Sequence, residues 1–369
     1  MIYVFMTVLS LIFMRAYVFV ENHVDNNMVN LSEKVLKNLL KSIFFILSFL
    51  VVFIPSAIRY FVGIDYTTYT FFQIPATLNG RTDIKVEPLY KILIKFGFWL
   101  GKGETYQYIF ALTAFIIIIF VFLYIKDQST NLYLSVFIFM FGGFFTFSLS
   151  GMRQSIAVAI FLYSLKFIKE NKIFPYMVCV LIATLFHTSS LLYIFFYFIK
   201  KIRINPYFVV TVMGLVFIFG NMMRSAIFYV SNKLGLYSEY FNGEFDNGSY
   251  GRILIVHALV VMLLILVIYF MRKNELYEKI NTELQLHYMG CLIVSMISLL
   301  PTPSRLLYMF IPVYITLVPN LLRKIDDKYL KIYAYFAIVL FYCIFFYLYV
   351  IVKNTYMTLP YQDVFGWFN

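Results

Sequence analysis

Long apolar blocks broken by short basic stretches run the length of the chain. The blocks are roughly 15–25 residues long, the length needed to cross a bilayer as a helix. They lack the every-second-residue alternation of barrel strands, which excludes a transmembrane β-barrel. The pattern predicts helices near 2–20, 42–58, 106–125, 131–149, 153–168, 173–187, 188–199, 206–222, 252–271, 286–300, 304–321 and 331–352. The expected fold is therefore all-α: one polytopic membrane domain over residues 1–369 with about 11–12 transmembrane helices. Met1 to Val20 lacks a basic leader and a clear cleavage site, and reads as a retained helix. The stretch 173–199 reads either as one long tilted helix or as a hairpin of two short arms. Lys172 precedes it, and Lys200, Lys201 and Arg203 follow it. Basic residues at both ends favour the hairpin, whose tip is then "HTSS" at 187–190, with Ser189 or Ser190 capping the returning arm.

Basic residues set the expected orientation. With the N-terminus outside, more than half of the 30 Lys and Arg residues fall on the cytoplasmic side, among them Lys34, Lys126, Lys166, Lys200, Arg272 and Arg323. Two large loops then lie outside. The first, 59–105, ends in "EPLYKILIKFGFWLGK", in which Pro88 suits a first helical position. Lys91, Lys95 and Lys102 share one face of this segment, while Leu89, Ile92, Leu93, Phe96 and Leu100 mostly cover the other. That is the pattern of an amphipathic helix, 87–102, lying in the membrane interface. The second loop, 223–251, contains "EYFNGEFDNGSYG", a composition suited to an ordered loop or lid that contacts sugars.

Composition sharpens the class. The chain is 62% hydrophobic and only 13% charged, too apolar for a soluble domain. Its net charge of +12 would point to nucleic acid in a soluble protein; here it reads as basic loops at a membrane surface, with no nucleic-acid partner. Cys179, Cys291 and Cys343 all lie in apolar runs, so no disulfide framework or metal site is expected. No cofactor is expected either, and the chain has no Gly-rich nucleotide loop.

The candidate chemistry collects at the outer ends of the helices. In "SGMRQSIAVAI", Arg153 opens a helix with Gln154 beside it, and Gly151, Ser155 and Ala159 form a small-residue face that predicts an interior position. Arg252 and Arg305 also stand at predicted helix N-termini, and Arg59 at a C-terminus. A cation at an N-terminus opposes the helix dipole by about 0.3–1 kcal/mol. A bound anion reverses that sign, because Arg and the free backbone N–H groups then converge on it. A diphosphate matches the planar donor fork of Arg. Asp65, Glu87 and His187 share that face and are the candidate proton acceptors. The bland readings are specific too: Arg252 snorkelling to headgroups, His187 as a hydrogen-bonded tip, Asp65 in an Asx-turn, His257 as a buried hydrogen-bonding residue. Tyr60, Tyr66 and Tyr69 either stack on sugars or anchor the interface.

The segments "RYFVGIDYTTY" (59–69), "EPLY" (87–90), "GMRQSIAVAI" (151–160), "ATLFHTSSLL" (183–192) and "PSRLLYMF" (303–310) follow one another in an order and spacing that resemble the EpsG-like branch of Wzy-type polysaccharide polymerases. R-Q followed by F-H-x-S about 33 residues later is the most specific pair, while 223–300 matches in hydropathy only. The resemblance implies a fold like those of lipid-linked glycosyltransferases. It also implies polymerisation of repeat units carried on undecaprenyl diphosphate, at the outer face of the bacterial cytoplasmic membrane, alongside a flippase and a chain-length regulator. Arg153 and Arg305, with Gln154, Arg59 and Arg252, would bind substrate diphosphate. Asp65, Glu87 or His187 would take the acceptor proton, with Asp65 preferred. Transfer would need no metal. A ligase of the O-antigen type would use similar outer-face Arg and His residues. A lipid-linked sugar flippase should instead carry charges at the bilayer midplane. A membrane acyltransferase would place a His deeper in the membrane, with a partner.

Overall fold

The computed structural model describes residues 1–23, 31–234, 252–272, 276–296 and 303–367. They form helices and connecting turns, with one isolated β-bridge, Arg59 to Asp363. Five helices are long and apolar enough to cross a membrane: Ile2–Asn22, Ser32–Ile58, Gln107–Gln128, Ile253–Met271 and Lys328–Val352. Two bent pairs raise the number to seven if each is one span. Shorter apolar helices such as Ile173–Phe186 and Ile311–Arg323 make up much of the remaining predicted segments. The chain is thus a multi-pass, all-helical membrane protein. It divides into two compact units, Met1–Tyr193 with Phe346–Asn369, and Ile194–Phe345.

In the first unit, the two N-terminal helices are joined by polar contacts rather than by apolar packing alone. Ser10 Oγ and Ser48 Oγ lie 2.8 Å apart, and each hydroxyl also donates to the other residue's backbone carbonyl. Inside a bilayer, where lipid competes for apolar contacts, such reciprocal bonds fix the register of two helices. Phe45 and Phe49 pack edge-on against Phe122 of the Gln107–Gln128 helix. The helix Met152–Lys169 lies at the centre: Ser155 and Ala159 have no exposed surface, as the small-residue face predicts.

The predicted helix 131–149 is broken. Leu132–Phe141 and Phe144–Ser150 meet at an angle of 49°, across Gly142 and Gly143. Gly143 has φ +88°, a left-handed conformation that a side chain would disfavour. The stretch 173–199 folds back as the hairpin reading expects. The first arm, Ile173–Phe186, ends at His187, whose backbone is extended (φ −156°, ψ 112°). A 3₁₀ segment, Thr188–Tyr193, follows. Tyr176 donates a hydrogen bond to the Tyr193 carbonyl at 2.6 Å; in a straight helix these residues would stand about 25 Å apart.

The helix Pro88–Leu100 forms where expected, with Pro88 at its first position. Its apolar side is not one face but two. Tyr90, Leu93, Ile94 and Gly97 are buried, while Ile92, Phe96 and Trp99 are exposed. Gly97 lies so close to Ile109 that a Cβ there would meet its backbone at 2.9 Å. The helix is docked on the protein through one stripe and leaves a second stripe outward, which Ile92 and Phe96 share. The candidate sugar loop "EYFNGEFDNGSYG" lies outside the described residues.

The second unit is organised by buried polar pairs. His257 Nε2 lies 3.0 Å from the Tyr342 hydroxyl, and His287 Nδ1 lies 2.9 Å from the Tyr314 hydroxyl. His257 is thus the buried hydrogen-bonding residue that its position predicted. Asn281 and Gln285, one turn apart, donate to the carbonyls of Lys200 and Ile202. These bonds tie the helix Asn281–Ser295 to the turn at 200–204.

The loop that follows Ile58 is tightly constrained. Gly63 has φ +107°, and a Cβ there would lie 2.5 Å from the Leu149 carbonyl oxygen. Its N–H donates to Met357 O at 3.0 Å, and that of Ile64 to Tyr356 O at 2.9 Å. Tyr60 N–H donates to Gln362 O, and Val364 N–H to Ile58 O. Gly63→Ala therefore adds backbone strain and a collision with main chain. It should lower stability by about 2–4 kcal/mol, read as a large fall in melting temperature of the purified protein. A variant melting like the parent would mean that the loop can move away from Leu149.

Candidate functional site

Three segments of the first unit bring charged groups together. The first supplies Glu87, the residue that starts the helix Pro88–Leu100. Its backbone is extended (φ −68°, ψ 152°), and its side chain does not cap its own helix. It turns instead to Arg153, in the first turn of Met152–Lys169, whose Nη1 donates to Glu87 Oε2. The same nitrogen reaches the Lys85 carbonyl at 3.4 Å. The third segment is the hairpin tip, where His187 Nδ1 lies 3.3 Å from Glu87 Oε1. The imidazole edge supports the carboxylate there, and the contact becomes an ion pair when the imidazole is protonated. One carboxylate thus faces two potential cations, one on each oxygen.

The electrostatics follow from this bridge. Burial pushes the Glu87 carboxyl up, but His187 and the Arg153 charge outweigh it and hold the group at about 2. Glu87 is therefore ionised throughout the physiological range. Because its folded value is depressed, the pairing stabilises the fold above the ordinary carboxylate range and is lost as pH falls toward 2. The helix beginning at Met152 has no side-chain cap. Its dipole and Arg153 both favour an anion, and the Glu87 carboxylate fills that role. The Arg153 backbone N–H points at the Tyr69 hydroxyl, 3.4 Å away.

Asp65 is half-buried and precedes the short helical turn Tyr66–Thr68. Its backbone N–H donates to Ser150 Oγ at 3.2 Å, which joins this loop to the segment just before Arg153. Gln154 is buried within the packed helix. Arg59 is only 2% exposed, with Nη2 at 2.9 Å from the Met152 sulfur, so its guanidinium lies behind the cluster. Arg252 and Arg305 belong to the second unit: Arg252 opens the helix Arg252–Arg272 as predicted, whereas the predicted helix 304–321 is divided and Arg305 is the exposed middle residue of the short helix Pro303–Leu307.

The tyrosines require a correction. Tyr66 and Tyr69 are buried, which leaves their rings closed to a sugar. Tyr66 stacks on Phe110 with ring centres 4.4 Å apart, and Tyr69 packs edge-on to Tyr90. They fill the space between the loop and the neighbouring helices. Tyr60 alone of the three is exposed, at 46%. Sequence reasoning also passed over Tyr90, Ser150 and Met152, whose roles depend on partners far away in the chain and leave no local signal. Among the described residues no group of three or more His, Cys, Asp or Glu side chains is placed to hold a metal.

No curated protein and no solved structure matches the chain. A family model does: it spans residues 42–362, and so takes in Arg59, Asp65, Glu87, Arg153, His187 and Arg305 together. The chain belongs to the EpsG family, the EpsG-like branch of the polysaccharide polymerases.

Proposed function

We propose that the protein polymerises polysaccharide repeat units carried on undecaprenyl diphosphate, at the outer face of the cytoplasmic membrane. The growing chain leaves its lipid diphosphate and joins the nonreducing sugar of a fresh lipid-linked unit. The observation that supports this reading is the Glu87–Arg153–His187 cluster at an uncapped helix N-terminus. It is a half-buried place for one anion, already occupied by a carboxylate of the protein itself.

In the reaction, the acceptor hydroxyl oxygen attacks the anomeric carbon of the growing chain. The bond from that carbon to the phosphate oxygen breaks, and its electron pair leaves with the lipid diphosphate. Arg153 meets this charge as it develops. A diphosphate offers more charge and more acceptor oxygens than Glu87, so it can take over the guanidinium. One such contact is worth about 4 kcal/mol at 4 Å and an effective dielectric near 20, before desolvation. Glu87, held at about 2, is a poor proton acceptor at neutral pH and serves as a positioning residue for Arg153 and His187. The proton of the acceptor hydroxyl passes to Asp65, and His187 orients the leaving phosphate.

Deletion of the gene tests this reading. On a gel of surface glycan, the ladder should collapse to a single repeat unit on its carrier. Full-length polymer that stays on its lipid would assign the protein to ligation instead. A cysteine placed at Thr82 should react with an impermeant thiol reagent from outside; protection there would put the cluster on the wrong side.

A further inference from the structure

Arg59 poses a separate problem. It is among the largest fully buried side chains of the protein. Its guanidinium has a thioether acceptor, Met152 Sδ, and the face of Phe110 at 5.6 Å. Both are weak partners for a full charge. Its Nε has no hydrogen-bond partner. Among the described residues no carboxylate lies within 4.0 Å of its nitrogens. Asp363 pairs with Arg59 through the backbone, but its carboxylate accepts from Phe365 N–H at 2.8 Å. A buried cation without an anion is costly, and each such group calls for a partner.

A small cavity adjoins the guanidinium. Its polar lining is Arg59, Ser56, Thr113 and Ser148, and Ile117 and Ile118 close the apolar side. About 10 Å³ is open to the centre of a water-sized particle, the lower bound for one water; a halide is slightly larger and needs the lining to give by a few tenths of an ångström. Thr113 Oγ1 and the Tyr90 hydroxyl are buried and approach one another, and neither has a well-aligned hydrogen-bond partner. Arg59 and Thr113 thus line the same space, and each carries a donor without a well-aligned partner.

We propose that this cavity binds a single monatomic, monovalent anion, chloride in ordinary salt. Water is the rival occupant. Ser56 and Ser148 donate to the carbonyls of Val52 and Phe145, one helical turn behind them, which leaves oxygen lone pairs for a water to meet. The charge decides between the two. Turning one serine hydroxyl toward an anion sacrifices one local hydrogen bond, whereas leaving a guanidinium uncompensated in the protein interior costs far more. The site excludes polyatomic anions by size. Its anion neutralises the residue that supports Met152, the first residue of the Arg153 helix.

The test uses the purified full-length protein in detergent, with sodium chloride replaced by sodium gluconate at equal ionic strength. Chloride and bromide should raise the melting temperature by about 3–6 °C at a hundredfold excess over Kd, and sulfate should not. Thr113→Val keeps the shape and removes one donor; it should raise the half-saturating halide concentration at least ~10-fold. Arg59→Met should abolish the halide effect, but its folding is less assured, so the Thr113 variant is the deciding one. Equal melting in chloride and gluconate would mean that water fills the cavity and the proposal is wrong. So would a halide shift that Thr113→Val leaves unchanged.

Discussion

Arg153→Lys should cut polymerisation of purified lipid-linked repeat units by at least ~10²-fold, although it keeps the charge. The loss of one donor aimed at developing charge typically costs 10²–10³-fold in rate. An ammonium cannot reproduce the planar fork that meets two phosphate oxygens. Arg153→Ala should leave no detectable polymer, for two reasons that add. In the proposed mechanism it removes the group that receives the leaving diphosphate, and it leaves the half-buried Glu87 carboxylate facing His187 alone. The second effect is on stability, so the lysine variant is the cleaner one: it can still satisfy Glu87 and should melt near the parent. A lysine variant that polymerises at the parent rate would remove Arg153 from the chemistry and leave it as a salt-bridge residue.

Asp65→Asn should slow transfer by ~10²–10⁴-fold, the usual span for a general base, while lipid diphosphate still binds. Asparagine keeps the size of the side chain, and the bond from the residue 65 N–H to Ser150 Oγ does not depend on the carboxylate. Glu87→Gln should behave differently. A group held at about 2 contributes little as a base at neutral pH. Its removal should act through the positions of Arg153 and His187, with a fall of about tenfold or less. A near-normal Asp65→Asn beside a dead Glu87→Gln would move the base to Glu87. Tolerance of both would leave substrate positioning and Arg153 to account for the acceleration.

The parts of the fold that were legible in the sequence were those whose cause is local. Gly151, Ser155 and Ala159 announced a helix that others approach closely, and Met152–Lys169 is indeed interior. Basic residues at both ends of 173–199 announced a return, and His187 is where the chain turns back. Pro88 marked a helix start. The break at Gly142 and Gly143 was available in the same way, since a Gly pair inside an apolar run is a breaker signal. What stayed hidden depends on distance along the chain. The family pattern put Glu87, Arg153 and His187 on one page, but nothing in it says that one carboxylate sits between the other two, 66 and 100 residues away. The burial of Tyr66 and Tyr69 follows from Phe110 and Tyr90, which no spacing rule connects to them. The segment 353–367 has no periodicity to read, because it is held by backbone bonds to Tyr60, Gly63 and Ile64 and by single side chains such as Asn354 and Tyr361, whose partners no spacing rule connects to them.

That last segment sets a timetable for biosynthesis. Gly63 and Ile64 find their backbone partners at Met357 and Tyr356, about 290 residues later. At 5–20 residues per second, the ribosome takes roughly 15–60 s to supply them. During that interval the Gly63 and Ile64 N–H groups of the turn lack these partners, while Ile194–Phe345 is still being synthesised. A chain released before Tyr356 never closes this turn. Partial translation products should therefore be recognised as unfinished instead of persisting as weakly active polymerases that would release glycans of the wrong length.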